Sequence, residues 1–184
     1  MNIAAVANDI TSRPDWPGAI YRTLMDHGVA QISYVPDAGH SRLIELSHTD
    51  PAIKTTVLTT EEEGVALSAG AWLGGERAVL LMQSSGVGNC INMLSLLSSC
   101  RFPFLTLVTM RGEWAEFNPW QIPMGKATAQ AFEIMGVTVF RLERAEDATE
   151  VVSAASSLAF ESDQPIAILI SQQMLGRKKW TETK

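Results

Sequence analysis

Short apolar runs alternate along the chain with longer stretches in which apolar residues recur at helical spacing. Ala30–Val35, Thr55–Leu58, Ala78–Met82, Pro103–Thr109, Val137–Phe140 and Ile166–Ile170 read as strands. Asp15–His27, Ser41–Leu46, Thr60–Leu73, Cys90–Cys100, a stretch from Gly125, and Ala145–Phe160 read as helices. Asp15 can cap the first helix, Pro17 suits its first turn and Gly28 stops it. Ala78–Met82 is apolar throughout, as a strand covered on both faces must be. Strictly alternating strands and helices predict an α/β fold: a single doubly wound domain, with a mostly parallel sheet of about six strands and helices on both faces. The expected divisions are a loose arm at 1–14, the domain at 15–171 and a tail at 172–184. Ligands of such sheets collect at the carboxyl ends of the strands. Here those ends are Pro36–His40, Thr59–Glu62, Gln83–Asn89 and the long Met110–Pro123 connection.

The helix opening at Thr60 carries an anomaly. Thr60 and Glu63 have the spacing of a capping box, and three carboxylates in the first turn suit the positive end of the helix dipole. At 3.6 residues per turn, Val65, Ala66, Ala69, Trp72 and Leu73 share one face. The projection aims Glu62 at the middle of that face and places Glu61 and Glu63 at its edges. A carboxylate removed from water without a partner is costly, so a side chain aimed there needs a reason.

Composition narrows the classes. A formal net charge of -6 argues against a general nucleic-acid or membrane-surface binder. Arg177-Lys178-Lys179 reads as a solvated terminal cluster, and no apolar run approaches the length of a membrane span. Residues 1–14 lack the basic start and apolar core of a signal peptide. Cys90 and Cys100, placed on one predicted helix, stand about 15 Å apart, too far for a disulfide. A reduced, cytoplasmic protein is expected.

Candidate chemistry sits at the strand ends. Gln83–Asn89 is a glycine-rich turn able to hold a phosphate on backbone N–H groups, and equally a plain strand-to-helix turn. It matches neither the P-loop nor the dinucleotide G-x-G-x-x-G. His27, His40 and His48 show no metal-ligand spacing, and no metal site is expected in the chain. Of the three, only His40 lies at a strand's carboxyl end. Arg111 also stands at one; its planar fork suits a sulfonate or phosphonate, and it can equally pair with Glu113 or Glu116. Asn89, Gln121 and His40 can add donors for an anion. Trp114, Phe117 and Trp120 make the Met110–Pro123 loop too apolar for free solvent, so it reads as a lid or a partner contact.

In order and spacing, several stretches resemble the pyrimidine-binding domain of thiamine-diphosphate enzymes of the sulfopyruvate and phosphonopyruvate decarboxylase type. They are Val35-Pro36-Asp37, Glu61-Glu62-Glu63-Gly64-Val65, Met82–Asn89, Phe102-Pro103-Phe104, Arg111-Gly112-Glu113-Trp114 and Asn118–Gly125. The resemblance spans roughly Asp15 to Ser171. It implies a glutamate at this helix start that hydrogen-bonds the cofactor's aminopyrimidine and favours the imino form, which removes the thiazolium C2 proton. On the helical projection that residue is Glu62; sliding the motif by one residue selects Glu61. The resemblance further implies Pro36, Ser85, Gly86 and Asn89 at the cofactor, and His40, Arg111 and Gln121 as substrate-binding candidates. Full-length members carry a second domain with a Gly-Asp-Gly…Asn motif that binds magnesium and the diphosphate, and no Gly-Asp-Gly occurs here. The chain is therefore expected to be an alpha subunit holding half a site. A beta subunit would bring the magnesium and diphosphate domain, share the thiamine diphosphate, and join an assembly containing at least a homodimer of this chain. The implied reaction is decarboxylation of a small anionic 2-oxo acid, sulfopyruvate foremost, with phosphonopyruvate as the alternative. A flavodoxin-like nucleotide-binding module and a subunit that has kept the fold without the chemistry are the rivals from other classes.

Overall fold

The computed structural model describes residues 14–176. The expectations for an arm at 1–13 and for a solvated cluster at Arg177–Lys179 lie outside the described residues. The elements in order are α1 (Trp16–Asp26), β1 (Val29–Tyr34), α2 (Ser41–Thr49), β2 (Lys54–Val57), α3 (Glu61–Leu73), β3 (Arg77–Gln83) and α4 (Ser84–Cys90). There follow α5 (Ser95–Cys100), β4 (Phe104–Thr109), α6 (Ile122–Ile134), β5 (Thr138–Leu142), α7 (Ala148–Glu161), β6 (Pro165–Ile170) and the short α8 (Gln172–Leu175). The six strands form one sheet in the order β2-β1-β3-β4-β6-β5, and every pairing is parallel.

Burial follows the two-residue strand period. Val79 and Leu81 of β3, with Ile166, Ile168 and Ile170 of β6, face a core closed by α1, α2 and α7 through Ile20, Leu24, Leu43 and Val152. Leu80 and Met82, with Ala167 and Leu169, face the opposite core under α3 to α6, filled by Val65, Val87, Leu97, Phe104 and Phe132. Each such side chain contributes about 1.5–3 kcal/mol by leaving water, so two filled faces hold the sheet between its helical layers.

Three expectations need correction. The Gln83–Asn89 turn is in fact largely helix α4. Its two glycines disfavour helix by about 1 kcal/mol each, but Val87 and Cys90 are fully buried on it, and that burial prevails. The single helix Cys90–Cys100 is broken between α4 and α5, so the cysteines stand on separate segments; both are free, Cys90 buried and Cys100 exposed. The first residues of the supposed tail form α8, whose Gln172 is buried and serves the site described below.

Candidate functional site

Helix α3 meets the sheet through small residues. Glu61, Gly64, Val65, Ser68 and Ala71 are its buried positions. A Cβ on Gly64 would lie 2.3 Å from a methyl of Leu80, so the helix axis can come this close to β3 only with glycine there. Trp72 is half-buried at the edge of the core and Leu73 is 84% exposed, so neither is on the face nearest the sheet. This corrects the projected phase. Glu61 is 8% exposed and is the innermost of the three carboxylates, whereas Glu62 is half-buried and Glu63 exposed. The projection centred the inward face on Val65, Ala69, Trp72 and Leu73; the close approach centres it on Gly64, Ser68 and Ala71, with Val65 kept. Glu63 has the expected capping task, accepting from the Thr59 N–H at 2.8 Å and the Thr60 N–H at 3.4 Å.

The Glu61 carboxyl rests on α4. A Cβ on Gly86 would fall 2.2 Å from its Oε1, so glycine makes the room. Asn89, one turn further along α4, donates Nδ2–H to Glu61 Oε2 at 2.8 Å. Oε1 has no hydrogen-bond partner among the described residues, and it is not sealed from solvent. Beside it, burial and then the Glu61 and Glu62 charges push the Cys90 thiol up to about 12, which keeps it a neutral S–H against the Gly86 carbonyl. One buried carboxyl thus has one oxygen held and one presented.

A second polar group closes the ends of β1, β3 and β4. The Asp37 carboxylate accepts from Thr109 Oγ1 at 2.6 Å, from Gln83 Nε2 at 2.9 Å and from the Gly39 N–H at 3.1 Å. A carboxylate only accepts, so it fixes the Gln83 amide with Oε1 turned outward, where Ser85 Oγ (2.8 Å) and Gln121 Nε2 (2.9 Å) donate to it. Gln121 in turn is left with Oε1 buried and unpartnered. Gln121 therefore offers that acceptor beside the second N–H of its amide. Pro36 is exposed and, with Asp37, Gln83, Thr109 and Arg111, lines a cleft of about 420 Å³ at this edge. Ser85 is exposed beside it.

His40 does not reach that cleft. It is 1% exposed, and its Nε2 lies 3.2 Å from the Met82 carbonyl and 3.1 Å from the Leu107 carbonyl. An N–H shared by those two carbonyls ties β3 to β4 and leaves Nδ1 as the unprotonated nitrogen, which has no partner. The expected substrate contact is therefore corrected to a strand tie. Burial pushes the imidazole below its ordinary value, against the opposing pull of Asp37 and the two carbonyls. As pH falls below about 6.5, the unfolded chain takes up this proton before the folded one does, so His40 removes stability in that direction. Denaturation of wild type and His40→Asn across that range should show a pH-dependent component present only in the wild type.

Arg111 resolves to one of its two expected pairings. Its Nε and Nη2 donate to Glu116 at 2.7 and 2.6 Å, with the Arg111 side chain 12% exposed and that of Glu116 2% exposed. The same carboxylate accepts from the N–H groups of Gly112 and Asn118 and from Gln172 Nε2. Burial alone would raise the Glu116 carboxyl, but Arg111, the Asn118 N–H and Gln172 outweigh it and hold it at about 2. Gln172 also accepts the N–H groups of Glu113 and Trp114, which fastens the loop to α8. The loop is thereby pinned at its base while Trp114, Phe117 and Trp120 remain 40%, 40% and 73% exposed. Gln172 escaped the sequence reading, and Glu116 entered it only as one of two possible partners of Arg111, because a buried acid in a loop has no periodicity. The Arg111–Glu116 spacing was its only signal.

An all-parallel doubly wound domain that presents one buried carboxyl at the start of α3 over a glycine of α4 has the form of a thiamine-diphosphate enzyme's pyrimidine-binding domain. The likeness in fold extends to 2-oxoglutarate:ferredoxin oxidoreductase from Magnetococcus marinus, with a TM-score of 0.70 over 92% of this chain and 34% of that one, at 14% identity. No family model matches the chain. Among curated proteins it is 35% identical to sulfopyruvate decarboxylase subunit alpha of Methanococcus maripaludis, over 83% of this chain and 92% of that one. It is 34% identical to the same subunit of Methanocaldococcus jannaschii, over 82% and 90%. Phosphonopyruvate decarboxylase of Streptomyces viridochromogenes is 32% identical over 85% of this chain and 40% of its own length. The chain belongs to the family of sulfopyruvate decarboxylase alpha subunits. Membership implies thiamine diphosphate as cofactor and a partner subunit. Among the described residues no helix is long and apolar enough to cross a membrane, and no cluster of His, Cys, Asp and Glu could hold a metal ion.

Proposed function

We propose that the chain supplies the pyrimidine-binding half of a decarboxylase that converts 3-sulfopyruvate and a proton to sulfoacetaldehyde and carbon dioxide. The observation that carries this reading is the Glu61 carboxyl, buried, held at Oε2 and presented at Oε1, in a chain so similar to sulfopyruvate decarboxylase alpha subunits. Bound thiamine diphosphate supplies the electron sink for loss of the carboxylate. Glu61 is the residue that would hold its aminopyrimidine, with Oε1 as the oxygen that would share a proton with a ring nitrogen. This moves the proposed role from Glu62 to its neighbour. Gly86 keeps the space in which that carboxyl lies, Asn89 orients it, and Pro36 and Ser85 form the rim of the adjoining strand ends. Magnesium and the diphosphate are assigned to the partner beta subunit.

The aromatic side chains on the pinned loop, with Leu73 on α3, are the surfaces proposed for contact with that subunit and with a second copy of this chain. A nucleotide-binding module is a poorer fit, because the Glu61 carboxylate occupies the face of α4 that a phosphate would need.

Steady-state kinetics of the chain reconstituted with its beta subunit test the substrate. Sulfopyruvate should exceed phosphonopyruvate and pyruvate in kcat/KM, and preference for either of the others overturns the assignment. Arg111→Lys should lower turnover of sulfopyruvate and of pyruvate by similar factors, since the guanidinium is taken up by Glu116. Selective loss of sulfopyruvate turnover would instead make Arg111 a reader of the anionic tail.

A further inference from the structure

We propose that Asn89 is a positioning residue for Glu61, deciding which carboxyl oxygen carries the shared proton. The proposal rests on the reading of Glu61 given above. An amide NH2 only donates, so the oxygen it meets must offer a lone pair in both states of the acid. Nδ2 of Asn89 meets Oε2 at 2.8 Å. Protonation there would set two donors against each other, so the proton is confined to Oε1, the oxygen left open. The amide cannot profitably turn round, because Oδ1 would then face an ionised carboxylate at the same distance.

Gly86 completes the arrangement one turn earlier on α4. By lacking a Cβ it lets the carboxyl lie flat on the helix, within reach of a donor three residues on. No competing cation or second donor to Glu61 is found among the described residues. Glu62 on its own helix and Glu61 both act on Cys90 of α4, and that thiol is held neutral by burial first and then by the two carboxylates. One hydrogen bond therefore sets the direction in which this acid gives and takes its proton.

Asn89→Asp, the same shape with an acceptor in place of the donor, tests the idea in the assembled complex with the beta subunit. The exchange of the bound cofactor's C2 proton for deuterium is followed by quenched NMR at saturating cofactor. Exchange should slow by about a hundredfold or more in Asn89→Asp, within the span of a general acid–base contribution. In Asn89→Ala, which loses the guide without adding repulsion, it should slow by about tenfold. A second readout needs no cofactor. The melting shifts of Asn89→Ala and Glu61→Ala should fall short of additivity in the double variant, because both remove one hydrogen bond. A native exchange rate in Asn89→Asp, or in Asn89→Ala should the first variant not assemble, overturns the proposal, as do additive melting shifts. A merely structural Asn89 would lower the melting temperature and leave exchange per bound cofactor unchanged. Slow exchange in Glu61→Gln with native exchange in Asn89→Asp rejects the Asn89 role alone; native exchange in Glu61→Gln rejects the reading of Glu61 on which it rests.

Discussion

Glu61→Gln should lower decarboxylation by the assembled enzyme by about 10²–10⁴-fold, the usual worth of a positioned acid or base. The amide keeps the volume and the burial of the carboxyl, so melting should move little. It cannot hold and release a proton, and its donor end would meet either Asn89 Nδ2 or the ring nitrogen awaiting a proton. Glu62→Gln is the control one residue away. That side chain is half-buried and its charge, like that of Glu61, acts on Cys90; its replacement should leave the rate within about threefold of wild type, as a change in a nearby charge does. The pair of variants, measured on the reconstituted complex, decides the helical phase directly. A dead Glu62→Gln beside a normal Glu61→Gln would restore the orientation projected from sequence and remove the proposed mechanism.

Glu116→Ala should cost about 3 kcal/mol of folding stability, the lower end for breaking a buried pair, because Arg111 keeps an edge toward solvent. For a domain of this size that is a fall in Tm of about 6–12 °C. The loss comes less from the missing contact than from what is left behind: an unpaired guanidinium, two backbone N–H groups and the Gln172 amide, all without their acceptor. The pH dependence has a definite sign. The Glu116 carboxyl is held at about 2 in the fold, below its ordinary 4.5. Its contribution is therefore complete above about 4.5 and is lost as pH falls through 2. Denaturation of wild type and variant should show a gap that is constant near neutrality and narrows on acidification within that window. A constant gap down to the acid limit would mean that Glu116 acts through packing and not through its charge.

Both predictions turn on residues that the sequence marked unequally. The three glutamates after Thr60 drew attention at once, since acids seldom occur on the inward side of a helix. Choosing among them required knowing how near α3 lies to β3, and Gly64 against Leu80 settles that distance. The small-residue spacing of Gly64, Ser68 and Ala71 was the available signal, and ranking by hydrophobicity passes over it. The Arg111–Glu116 pair was legible as one of two alternatives. Its depth was not, because Gln172, 56 residues beyond Glu116, reaches back to close it. His40 stood at a strand's carboxyl end as expected, yet its ring turned inward between two strands, a direction that position along the chain does not specify.

The sequence by itself determined the class of fold, because alternating strands and helices with both faces apolar have few other ways to bury themselves. It also pointed to the strand ends as the place for a ligand, since strand ends follow from strand order, and it carried the family to which the chain belongs. Only the tertiary structure decided which side chains are buried at those strand ends and which of their atoms are already paired. Glu61 in place of Glu62, the acceptor end of Gln121, the occupied fork of Arg111 and the sealed ring of His40 all depend on contacts between elements far apart in the chain. Local pattern reports which side of an element is apolar; close approach and the pairing of donors with acceptors then select the side chain and the oxygen.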